Sequence, residues 1–80
     1  MDIAKLHNLA ISGTGFIFDP VTGNSYNTNE TGLLIVNAIK SGKSITEIAN
    51  MIAAEYDVSI EVAEQDILQI IESLRSDYLI

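Results

Sequence analysis

Apolar residues recur along this chain at two different spacings, and the change falls near residue 29. Before it, short runs of β-formers are punctuated by Gly, Pro, Asn, Ser and Thr. After it, three segments repeat apolar positions every three or four residues. The pattern predicts an α+β chain, a strand-rich first third followed by three helices in one domain over residues 1–80. Leu6 to Ile11 alternates loosely and predicts strand one, and the Ser12-Gly13 pair turns the chain. Phe16-Ile17-Phe18 predicts strand two, with Phe16 and Phe18 on one face because neighbouring strand side chains alternate. In Asp19-Pro20-Val21-Thr22-Gly23, Pro is preset for the first corner of a type I turn and Gly can take a left-handed conformation. Strand three then returns over Asn24 to Asn27. It is short and polar, with Tyr26 its one large side chain, which is the composition of a sheet edge.

The helices announce their own ends. Helix one is expected over about 30–41, with Asn29 capping its first amides and Gly42 ending it after Lys40. Leu34, Ile35, Ala38 and Ile39 share one face of it, and Leu33 points away. Helix two, over about 45–56, opens with Ser44 three residues before Glu47, the spacing of a capping box. Ile45, Ile48, Ala49, Ile52 and Tyr56 follow at helical intervals. Helix three, over about 60–76, is capped by Ser59 and carries Ile60, Ala63, Ile67, Ile70, Ile71 and Leu74 on one stripe. Leu68 falls roughly 100° off that stripe, beside Glu64, Glu72 and Arg75. Tyr78-Leu79-Ile80 is too apolar for a free tail and is expected to fold back on the core.

Composition narrows the chemistry. Eighty residues, 48% of them apolar, support one core and leave no length for a second. Cysteine is absent, which excludes a disulfide framework, a thiolate zinc site and a cysteine nucleophile, and fits a cytoplasmic setting. Apolar runs such as Gly32 to Val36 fall far short of a bilayer span, and Met1 to Ile11 lacks a signal-peptide pattern, so neither membrane nor export is expected. Four basic against eleven acidic residues leave a formal charge of −7. Only Lys5, Lys40, Lys43 and Arg75 could neutralise phosphates, so nucleic acid is not an expected partner.

The chemical motifs resolve into structural ones. Gly42-Lys43-Ser44 has the ending of a phosphate-binding loop, but Asn37 stands where the first Gly is required and a helix precedes it. The Asp19 loop places Val21 and Gly23 where a calcium loop needs oxygen donors. Gly13-Thr14-Gly15 is a turn. His7, the single histidine, has no carboxylate close in sequence, and Glu61, Glu64 and Asp66 complement the dipole at a helix start. No catalytic constellation, metal site or cofactor is expected. What remains is a strand edge, whose unpaired amides and carbonyls can accept an extended peptide as an extra strand, beside a helix able to supply side-chain pockets.

At this point the pattern resembles the PqqD-like family, the small peptide chaperones also called RiPP recognition elements. The resemblance rests on Gly15-Phe16-Ile17-Phe18-Asp19, Gly23-Asn24-Ser25-Tyr26 and Asn29-Glu30-Thr31-Gly32-Leu33-Leu34-Ile35. It continues through Gly42, the Ile45 to Tyr56 helix, Asp66-Ile67, Ile70-Ile71, Leu74 and the closing Leu79-Ile80. Phe-Asp-Pro and Thr-Gly around the hairpin look most like the branch found beside kinase-related partner proteins. The resemblance implies a winged-helix-like fold of three antiparallel strands and three helices. It also implies a non-catalytic role: binding the leader of a ribosomally made precursor, antiparallel to strand three and against helix three, for a modifying enzyme of radical or kinase-related type. Carried over by position, Ser25, Tyr26 and Asn27 would form the edge, and Glu64, Leu68, Ile71 and Arg75 the helix wall. The Asp66 side of helix three is the alternative wall. The chain differs from many relatives in starting abruptly at strand one, and a monomer or weak dimer is expected.

Two rival readings keep the same fold. A winged-helix DNA regulator would present helix three to a major groove, yet Glu61, Glu64, Asp66, Glu72 and Asp77 outnumber Arg75 there. A dimerisation or scaffold domain would use Leu33 and Leu68 as an apolar patch.

Overall fold

A computed structural model describes residues 3–77. The order is a 3-10 helix over Ala4–Asn8, strands β1 (Ala10–Ile11), β2 (Phe16–Phe18) and β3 (Ser25–Asn27), and helices α1 (Glu30–Lys40), α2 (Ile45–Tyr56) and α3 (Ile60–Ser76). The strands form one antiparallel sheet in the order β1-β2-β3, so the α+β architecture expected from the sequence is observed. Tyr78-Leu79-Ile80 lie outside the described residues.

The first element differs from expectation. Leu6 to Ile11 is not one strand: its first part winds into the 3-10 helix, His7 included, and only Ala10–Ile11 pair with β2. The cause is burial. Strict alternation would send Leu6 and Leu9 to opposite faces, whereas both are buried in the core. A turn of three residues places positions three apart on one side, and the bonds Leu6 N to Ile3 O (3.0 Å) and Leu9 N to Leu6 O (3.2 Å) close such turns. Packing of two leucines overrides a weak local pattern.

The hairpin between β2 and β3 is close to its prediction. Gly23 takes the left-handed conformation, φ 80°. Asp19 organises the loop: its side chain accepts from Val21 N at 2.9 Å and its carbonyl from Gly23 N at 2.8 Å, one residue wider than a lone β-turn. Across the strands Ile17 faces Tyr26, while Phe16 and Phe18 face Asn27 and Ser25. Ile17 is the inward residue, buried at 3% exposure, so Phe16 and Phe18 do share a face, and it is the outer one.

All three helix starts are capped as the sequence requires. The Asn29 side chain accepts from Gly32 N (2.8 Å), Ser44 and Glu47 form a reciprocal capping box, and Ser59 accepts from Val62 N (3.2 Å). Each such cap is worth about 1 kcal/mol to its helix. The core gathers Ile35, Val36 and Ile39 of α1, Ile48 and Ile52 of α2, and Ile67 and Leu74 of α3 around Leu6 and Ile17. No described helix is long and apolar enough to cross a membrane.

Two glycines fix β3 relative to the helices. Gly15 has φ 91°, and a Cβ there would run into the Thr28 carbonyl; a Cβ on Gly32 would collide with the Thr28 hydroxyl. Thr28, whose N–H donates to Gly15 O at 2.8 Å, therefore closes the sheet and leads into α1 with little freedom. This junction fixes how β3 leads into α1.

Candidate functional site

The hydrogen-bond phase of β3 decides which of its residues are open. Thr28 N donates to Gly15 O and Asp19 N to Asn24 O, so the paired positions alternate and Tyr26 takes up Ile17 between them. Tyr26 thus turns its backbone inward to β2, whereas Ser25 and Asn27 direct theirs to the outer side. No further strand pairs there among the described residues. The edge offers the N–H and C=O groups of Ser25 and Asn27, spaced to receive one extended chain.

Beside this edge runs a trough of three adjoining hollows that share lining residues. The middle part, about 190 Å³, lies between Tyr26, Asn27 and Thr28 on one side and Ile70, Ser73, Leu74 and Asp77 on the other. Its floor is Ile17 and Val36. It shares Ile70 with a cavity of about 160 Å³ that includes Asn29, Gly32, Asp66 and Gln69, the last of which also borders the hollow beside Leu68. The middle part shares Tyr26 and Asp77 with a cavity of about 320 Å³ that includes Lys5, Asp19, Val21 and Asn24. The α3 flank next to β3 is therefore Asp66, Ile70, Ser73 and Asp77, at i, i+4, i+7 and i+11.

The structure divides the seven residues expected at the site into two groups. Ser25, Tyr26 and Asn27 lie on the open edge. Leu68, Ile71 and Arg75 line a different cavity of about 540 Å³ with Ile45, Gln69 and Glu72, against the first turn of α2. Glu64 is exposed and lines neither cavity. Ile71 is 6% exposed and belongs to the core, and Arg75 pairs with Glu72 at 3.4 Å on the open surface. The wall that meets β3 is the Asp66 side, the alternative left open by the sequence. Ile70 carries the signal for it: it stands at the edge of the apolar stripe on the flank that holds Asp66 and Asp77, and it is only half-buried.

Size alone does not rank the two cavities. The cavity of about 540 Å³ has no lining residue from the sheet, so it offers no open ladder to a guest chain. Elsewhere, Glu47 is held ionised below the usual carboxylate range by hydrogen bonds from Ser44 backbone and side chain. That pair anchors the first turn of α2. No group of three or more His, Asp or Glu side chains gathers to hold a metal among the described residues.

The sequence profile described as Coenzyme PQQ synthesis protein D (PqqD) matches residues 15–80. Among solved structures, one titled lasso peptide synthetase B1 complexed with the leader peptide is 27% identical, with TM-score 0.77, covering 88% of this chain and 86% of that one. Another, TbiB1 in complex with the TbiA(beta) leader peptide, is 23% identical with TM-score 0.82, covering 99% of this chain and 93% of that one, a likeness of fold. No curated protein matches.

Proposed function

The chain belongs to the PqqD family, and from that premise we propose that it is a non-catalytic adaptor that captures the leader of a ribosomally made precursor peptide for a maturation enzyme. The observation that carries this reading is the outward backbone of Ser25 and Asn27 beside an apolar trough. An extended leader adds as a fourth strand, antiparallel to β3. Main-chain bonds supply orientation, each worth about 1 kcal/mol, and side chains entering the trough supply selection. The similar lasso peptide synthetase B1 was solved in complex with the leader peptide, which supports the same class of guest.

The helix wall in this reading is Asp66, Ile70, Ser73 and Asp77 together with buried Leu74. Leu68, Arg75 and Glu64 stand on the opposite flank and are not assigned to the leader. The test is an amide-resolved titration with the leader of a precursor encoded beside this gene. Shifts at Ser25, Asn27, Ile70 and Ser73 are expected. Shifts confined to Ile45, Leu68 and Arg75 would overturn the assignment.

A further inference from the structure

The trough is apolar at its centre and carries acid at both ends. Asp66 stands at the Asn29 end, Asp77 and Asp19 at the Asn24 end, and Tyr26, Ile70, Leu74, Ile17 and Val36 lie between. Among the described lining residues Lys5 is the one cation, and it shares its end with two carboxylates. The two walls match in length. Asp66 to Asp77 spans eleven helical rises, about 16 Å, and Asn24 to Asn29 spans five strand rises, also about 16 Å. A guest strand lying along β3 therefore meets a carboxylate about every five or six of its own residues, with apolar surface between.

We propose that this trough selects leaders in which alternate apolar side chains are flanked on both sides by Lys or Arg. The inference rests on the adaptor reading and adds the chemical class of its ligand. Alternation follows from the strand, since every second guest side chain enters the trough. The flanking cations follow from charge complementarity: a Lys or Arg stem can lie on Tyr26 or Ile70 while its head reaches the terminal carboxylate. A leader with acid at these positions would place like charges together in a chain already at −7.

The test is selection of short random peptides displayed against the full chain, repeated with Asp66→Lys and Asp77→Lys, followed by amide mapping of the selected peptides. The unmodified chain should enrich Lys or Arg at both ends of an alternating apolar segment. Each charge reversal should convert the preference at its own end to Glu or Asp and leave the other end unchanged. Asp66→Asn and Asp77→Asn, which keep side-chain shape, should each weaken a selected peptide by about threefold and reduce its salt sensitivity. Selected peptides that shift Ser25 and Asn27 yet show no basic preference, or a preference the reversals do not move, would overturn the charge rule and leave strand addition standing. Selected peptides that never shift Ser25 or Asn27, or no enrichment, would overturn both.

Discussion

One flank of α3 looks across Ile70 and Ser73 to the open edge of β3; the other, with Leu68 and Arg75, looks onto the first turn of α2. Both present apolar surface to solvent, and the far flank has the larger single hollow. They differ in what a guest can bond to. The backbone groups of α2 and α3 are largely satisfied within the helices, so a peptide on the Leu68 side would leave its own amides facing side chains. On the Ile70 side the outward groups of Ser25 and Asn27 meet them. The lesson is that an exposed leucine marks a surface, whereas an unpaired ladder beside an apolar floor marks a place for an extended chain.

The largest test of this contrast is a pair of prolines on β3. Tyr26→Pro removes a donor that serves the sheet together with a half-buried ring, and should destabilise the fold by about 2 to 4 kcal/mol in denaturant titration. Asn27→Pro removes an outward donor and sets a ring against the incoming strand, so leader affinity should fall about tenfold or more with little change in stability. Equal loss of stability in both would mean the hydrogen-bond phase is misassigned.

Next come paired truncations on the two flanks. Ile70→Ala should weaken leader binding about fivefold, because it opens the floor where the guest packs. Leu68→Ala, at a side chain 55% exposed, should change stability by less than about 0.5 kcal/mol and leave binding within error. Calorimetry on both variants would reverse the assignment of flanks if Leu68→Ala proved the more damaging.

Acid should separate the flanks in a third way. The folded-state pKa of Glu47 is lowered by its bonds with Ser44, so the stability it contributes is present above the ordinary carboxylate pKa and is lost as pH falls through the depressed value. Amide protection factors at the start of α2, under the Leu68 hollow, taken relative to the intrinsic exchange rate at each pH, should therefore fall in acid while β3 amides show no matching step. Glu47→Gln should abolish that pH dependence, whereas Ser44→Ala, which keeps the Ser44 N–H, should only reduce it. The smallest effect is expected at the Arg75 and Glu72 pair, whose side chains are 63% and 72% exposed. Glu72→Gln should alter stability by only about 0.2 to 0.5 kcal/mol and leave leader binding unchanged.

Much of this was readable in the residues themselves. The caps Asn29, Ser44 and Ser59 mark helix starts because free amides at a helix end need acceptors close in sequence. The hairpin was legible for the same local reason, through Pro20 and Gly23. The 3-10 helix was not, since Leu6 and Leu9 turn the same way only because a distant core demands it. Nor was the flank of α3 that lies next to β3. Residues on α3 repeat their angle around the axis, but nothing local says which side β3 will occupy.

The order of residues by itself determined the elements, their ends, the polar edge strand and the apolar stripe of α3, all of which depend on bonds and spacings within a few positions. Only the tertiary structure decided which flank of α3 closes the trough. That choice depends on how α3 packs against α1 and α2 and on where the sheet then lies, contacts between distant parts of the chain that no local pattern encodes.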